Sequence, residues 1–109
     1  MEIAFSRKVL RQICERESVA VQHYGEPVAR MLTHRLADLL SATNLTDLIA
    51  GNPTVLDGAP RWRIVVGLCD GYQMVICPNH SSTPILSSGE LDRKNIVRIK
   101  ILDIGNSRA

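Results

Sequence analysis

The sequence predicts an α+β domain in which two N-terminal helices pack on one face of a mainly antiparallel sheet. Three observations carry that prediction. Apolar residues recur at helical spacing up to Leu40, the period changes to two from Val55 onward, and Asp70-Gly71 separates two strand-like runs as a hairpin turn would. Helices grouped ahead of most strands, rather than alternating with them, favour α+β over α/β.

Taken in order, Glu2–Phe5 alternates and reads as a short first strand. Ser6 can cap the helix that follows, in which Val9, Leu10, Ile13 and Cys14 share a stripe. The stripe resumes through Val19, Ala20 and Tyr24, with a break placed at Ser18, and Gly25 stops it. Pro27 suits the first turn of a second helix, whose stripe is Val28, Met31, Leu32, Leu36, Leu39 and Leu40. A short helical turn is expected over Thr46–Ala50, ended by Gly51. Arg63–Cys69 and Tyr72–Cys77 then form the hairpin around Asp70-Gly71, which sets Cys69 against Tyr72, Gly67 against Met74 and Val65 against Ile76. Both faces of that hairpin are apolar, so it belongs in the middle of the sheet. Pro78–Asn95 reads as a long polar loop. The last strand places Val97, Ile99 and Ile101 on one face and Arg98 and Lys100 on the other.

The chain has 109 residues, 45% of them hydrophobic and 22% charged, which is one ordinary globular domain over 1–109. No apolar run is long enough to cross a bilayer as a helix, and the start is charged from Glu2 onward, so a cytoplasmic location is expected. The net charge of +2 is too small to argue for a nucleic-acid partner from total charge. Its distribution is more informative: residues 93–109 hold Arg93, Lys94, Arg98, Lys100 and Arg108 against Asp103 alone. Cys14, Cys69 and Cys77 are an odd set without a C-x-x-C spacing, so free thiols are expected. Cys77 and His80 have a spacing that metal ligands use, but the two further ligands of a zinc site are missing nearby, so no metal and no cofactor are expected.

The chain has no phosphate-binding glycine loop, H-E-x-x-H or G-x-S-x-G. The histidines are scattered; His23 and His34 lie on helices and read as surface residues, and His80 lies in the long loop, where function concentrates. The cluster that could carry chemistry is basic. Arg61 and Arg63 flank Trp62, and Arg98 and Lys100 project from one strand face. Arginine forks fit phosphate oxygens, and an indole can stack on a base. The alternative is that Trp62 caps the core and the cations are solvated.

The order and several runs of residues resemble one family. M-E-I-A-F-S-R-K-V-L-R-Q-I-C-E at the start, R-L-A-D-L-L at Arg35–Leu40, N-L-T-D-L at Asn44–Leu48, the Leu56-Asp57-Gly58 turn, G-Y-Q-M-V-I at Gly71–Ile76 and I-V-R-I-K-I at Ile96–Ile101 are similar to HigB-like plasmid maintenance killer toxins of the RelE/ParE superfamily. Some members of that branch are labelled killer-suppression proteins. The resemblance implies a small toxin with two helices on a curved sheet, neutralised by a cognate helix-turn-helix antitoxin. It also implies metal-independent cleavage of messenger RNA on the ribosome, with basic and polar side chains stabilising the phosphorane. Under it, Arg61, Arg63 and Gln73 are the candidate catalytic residues, and Trp62, Arg98 and Lys100 the candidate RNA contacts.

Departures from the family pattern fall on the chemistry. Thr54 stands where a His is common, Asp57 where a Lys is common, Gln73 where an Arg follows the aromatic residue, and Asn106 where the chain ends in a His-containing motif. Two functions are therefore expected to compete: a toxin, possessing at most a degenerate endoribonuclease site, and a non-catalytic binding or regulatory module that keeps the toxin fold and the antitoxin-binding surface.

Overall fold

The computed structural model describes residues 1–106, and Arg108 of the basic tail lies outside them. The chain runs β1 (Glu2–Phe5), α1 (Lys8–Glu15), α2 (Glu17–Tyr24), α3 (Glu26–Ser41), β2 (Thr54–Val55), β3 (Ile64–Gly67), β4 (Tyr72–Pro78) and β5 (Arg98–Asn106). The strands form one mixed sheet in the order β1-β5-β4-β3-β2. β1 is parallel to β5, and the other pairings are antiparallel. The class is α+β, as the sequence predicts, but the described residues hold three helices rather than two.

The extra boundary is Arg16, which is extended (φ −129°, ψ 108°) and separates α1 from α2 two residues before the expected break at Ser18. In one continuous helix Glu17 would fall on the buried Leu10–Ile13 stripe. The break sends Glu17 to solvent and places its carboxylate in the first turn of α2, where the helix dipole favours it. Gly25 (φ 86°) then ends α2, and Pro27 sits in the first turn of α3. Ser6 does not cap α1. Its hydroxyl donates to the Leu102 carbonyl at 3.0 Å, and Arg7 is the residue before the helix.

On α3, Val28, Ala29, Leu32 and Leu39 are buried, while Leu40 is 64% exposed and leaves the expected stripe. The turn expected at Thr46–Ala50 is a 3-10 turn over Leu45–Asp47, and Asn44 caps it by accepting from the Thr46 amide at 2.9 Å.

The hairpin turn forms at Asp70-Gly71, with both residues at positive φ (55° and 79°). Its register is displaced by one from the expectation. Leu68 donates to the Tyr72 carbonyl and Tyr72 donates to the Cys69 carbonyl, so Leu68 and Cys69 together oppose Tyr72. That bulge sets Val66 against Met74 and Ile64 against Ile76. A one-residue slip exchanges the faces of a strand. The core face of the hairpin is therefore Ile64, Val66, Met74 and Ile76, all buried, and Val65, Gly67, Gln73, Val75 and Cys77 lie on the outer face, half-buried. β5 carries a second irregularity, since Ile76 pairs with Ile101 but Val75 with Asp103, leaving Leu102 as the inserted residue.

One apolar cluster joins Leu10, Ile13, Ala20, Leu32 and Leu39 of the helices to Ile64, Val66, Met74, Ile76, Ile99 and Ile101 of the strands. Ile99 and Ile101 fall on the core face as expected, while Val97, just before β5, is 43% exposed. At the far end the Tyr24 ring meets Tyr72 edge-on at 5.4 Å, and its hydroxyl donates to the Ile104 carbonyl at 3.4 Å. The polar segment 79–97 is tied down: Ile85 bridges to Leu91, a 3-10 turn forms at Arg93–Asn95, and Leu91 and Ile96 are buried.

Cys14 packs against this core from α1, and burial, with Glu15 adding, pushes its thiol up from 9.0 to about 12. The folded chain thus holds the proton more tightly than the unfolded chain. The associated stability is complete below about pH 9 and declines as the pH rises toward 12. Tyr24 and Cys77 are raised by burial too, so the diagnostic quantity is a difference. Urea unfolding through this alkaline range is expected to show a shallower loss of stability for Cys14→Ala than for the unchanged chain. Parallel pH profiles would contradict the burial assigned to this thiol.

Candidate functional site

The helix-free face of the sheet gathers most of the basic residues singled out from the sequence. Arg63 directly precedes β3, and continuing the Ile64–Ile76 register sets it opposite Cys77, which pairs with Lys100. Arg63, Cys77 and Lys100 thus form a row across three strands, with about 10 Å between the outer two Cα atoms. Lys100 pairs onward with Ala4 of β1, and Arg98, two residues back on the same face, pairs with Glu2. The next rows are Thr54, Val65, Val75 and Asp103, then Gly67, Gln73 and Gly105. The face therefore has a small, apolar centre and a cationic side.

Each arginine of the cationic side is engaged. Arg63 Nε lies 2.6 Å from Asp57 Oδ2, and Arg98 Nε lies 2.7 Å from Glu2 Oε2. The third carboxylate near this face, Asp103, is bound by Arg7 at 2.9 Å. Lys100 has no carboxylate partner among the described residues; it pairs in register with Cys77, whose thiol is raised by burial and only partly lowered by the ammonium. His80 is also engaged: its Nε2 accepts from the amides of Val97 and Arg98 at 3.2 and 3.3 Å. Nε2 is thereby occupied as an acceptor from the backbone.

The remaining sequence candidates separate from this row. Gln73 is four residues from Cys77 along β4, about 13 Å. Arg61 is exposed in the turn before β3. Trp62 is only 8% exposed and belongs to the core cluster, with its backbone at φ 51° and its amide donating to Gly58 at 3.0 Å. Its indole is occupied by packing, so burial supports the core-cap reading of Trp62 over the stacking one. Thr54 is on the edge strand β2, with its hydroxyl donating to the Asn52 carbonyl at 2.9 Å. Among the described residues no group of three or more His, Cys, Asp or Glu side chains is placed to hold a metal ion, and no helix is long and apolar enough to cross a membrane.

Asp57 and Glu2 are the residues of this site that sequence reasoning did not connect. Asp57 lies in the Leu56–Gly58 turn and meets Arg63 because the chain folds back there, with the Leu56 amide donating to the Arg63 carbonyl at 2.7 Å. Glu2 reaches Arg98 only through the parallel β1–β5 pairing. Scans of the chain against protein-family models, characterised proteins and solved structures found no match.

Proposed function

We propose that this chain is the toxin-fold member of a type II toxin–antitoxin pair, of the HigB and RelE/ParE kind, and that it acts by binding rather than by cutting messenger RNA. The observation that carries the second half is the pairing on the open sheet face. Attack of a 2′-hydroxyl on phosphate needs a base to take its proton, an acid for the leaving oxygen, and cations free to meet the phosphorane. Here Arg63 and Arg98 are tied to carboxylates, each of the three carboxylates near the face is tied to an arginine, and the neighbouring thiol holds its proton more tightly than usual, which leaves Lys100 as the cation of the row without a carboxylate partner among the described residues. A guanidinium already satisfied by one anion gives less to another. The small apolar centre formed by Val65, Val75, Gly67 and Gly105 suits contact with a partner better than it suits proton transfer.

The first half rests on the sequence resemblance and on the helical surface. Arg30–Glu26 and Arg35–Asp38 set opposite charges along α3, and Val9 of α1 and Val21 of α2 are exposed. Such a surface fits a helix-turn-helix antitoxin that buries apolar area and matches charge at the rim. The test is calorimetry of the purified chain with the product of a short helix-turn-helix gene encoded beside it. A dissociation constant in the nanomolar range, on the order of −12 kcal/mol, is expected. Absence of binding to that product would remove the toxin–antitoxin assignment.

A further inference from the structure

The two edges of the sheet are unequal. β2 is two residues long and follows Pro53, so it offers little to a foreign strand. β1 is longer and carries no proline and no bulge, and its one charge, Glu2 at its start, is paired with Arg98. The amides of Glu2 and Ser6 donate to Val97 and Ile101. By the two-residue period of the ladder, the N–H and C=O groups of Ile3 and Phe5 point away from β5, along the free edge. Beneath that edge an open cleft of about 690 Å³ runs between β1, α1 and α3, with Ile3, Phe5, Cys14, Leu36 and Leu40 among its lining residues. The charges at its rim are internally neutralised, since Arg11 pairs with Glu15 and Arg98 with Glu2.

We propose that the chain self-associates through this edge, two copies pairing β1 against β1 in antiparallel sense about a two-fold axis at Ala4, to give one continuous ten-stranded sheet. A cleft without net charge selects a neutral strand with alternating apolar residues, and Ile3-Ala4-Phe5 is such a strand. In this register Ile3 and the partner's Phe5 exchange both backbone hydrogen bonds, as does the symmetric pair, which makes four in all. Glu2 falls opposite the partner's Ser6, so no like charges meet within the paired strands. The exposed Leu40 of each copy then gains apolar cover beside the new strand. The two-fold arrangement is closed and leaves only the short β2 edges at the ends.

Sedimentation and hydrogen exchange on the full chain test this together, from low micromolar to near-millimolar concentration. The mass is expected to double with concentration, and the Ile3 and Phe5 amides to slow in exchange in step with it. Ile3→Pro removes an edge donor without removing a β1–β5 hydrogen bond, and is expected to weaken self-association roughly tenfold or more while circular dichroism stays unchanged. Should that variant unfold, the amide exchange of the unchanged chain still decides. A chain that stays monomeric throughout overturns the proposal, as does a dimer in which the Ile3 and Phe5 amides exchange as fast as in the monomer. Protection of those amides only when a different protein is added would assign the edge to a foreign strand, and would equally overturn self-pairing.

Discussion

Replacing Trp62 with Ala is expected to lower the unfolding free energy by roughly 3–5 kcal/mol. The indole is 8% exposed and packs in the same cluster as Ile64 and Val66 at the start of β3. Truncation removes its buried area and leaves a void that the sheet cannot fill by collapse. Trp62→Phe keeps much of the ring and should recover most of that loss. Because Trp62 is the only tryptophan, urea unfolding of the variants is followed by circular dichroism rather than fluorescence. The same experiment separates the two roles read for this residue. A stacking platform for RNA could be truncated at little cost to stability, whereas a core cap could not.

Gly51→Ala is expected to cost roughly 2–5 kcal/mol, the sum of backbone strain and overpacking. Gly51 has φ +83°, and a Cβ built there would lie 2.6 Å from Val66 Cγ1, 2.8 Å from the Gly67 carbonyl oxygen and 3.0 Å from Arg35 Nε. None of these can retreat freely. Val66 is in the core, the Gly67 carbonyl accepts from Arg35 at 3.3 Å, and the Gly67 amide donates to the Gly51 carbonyl at 2.7 Å. Gly25 is the control: its φ is similar, +86°, but a Cβ there meets nothing within 4 Å. Gly25→Ala should therefore show the backbone share alone. For a domain of this size each kcal/mol lowers the melting temperature by roughly 4–8 °C, so the two variants should be well separated by thermal unfolding. Equal losses would mean that the contacts around Gly51 are not as tight as described.

The elements that were legible in the sequence are those set by local chemistry. Gly25 and Pro27 mark the α2–α3 boundary, and Asp70-Gly71 marks the turn, because each position demands a backbone conformation that few residues adopt. The hairpin register was not legible. Val65, Val66, Val75 and Ile76 are apolar on both faces, so alternation does not choose between registers, and the bulge at Leu68–Cys69 leaves no pattern of its own. Polarity alone does not place the split at Arg16, because Glu17 and Ser18 are both polar and only the direction of the Leu10–Ile13 stripe shows which must leave the core face. At the candidate site the cations were readable and their partners were not. Arg63–Asp57 forms across a turn, and Arg98–Glu2 joins opposite ends of the chain, so neither has a diagnostic spacing. Trp62 lies outside any periodic segment, where neither the helix nor the strand rule says which way it points.

Incubating ribosome-programmed messenger RNA with the purified chain tests most directly whether this face binds without cutting. No cleavage above a ribosome-only control is expected, since the loss of even one preorganised charge-stabilising donor costs roughly 10²–10³ in rate in well-studied enzymes. Thr54→His combined with Gln73→Arg, assayed in parallel, shows whether proton transfer and a free guanidinium are what the face lacks. Robust cleavage by the unchanged chain, abolished by Arg61→Ala or Arg63→Ala, would contradict the claim and place the chemistry on the arginines around Trp62.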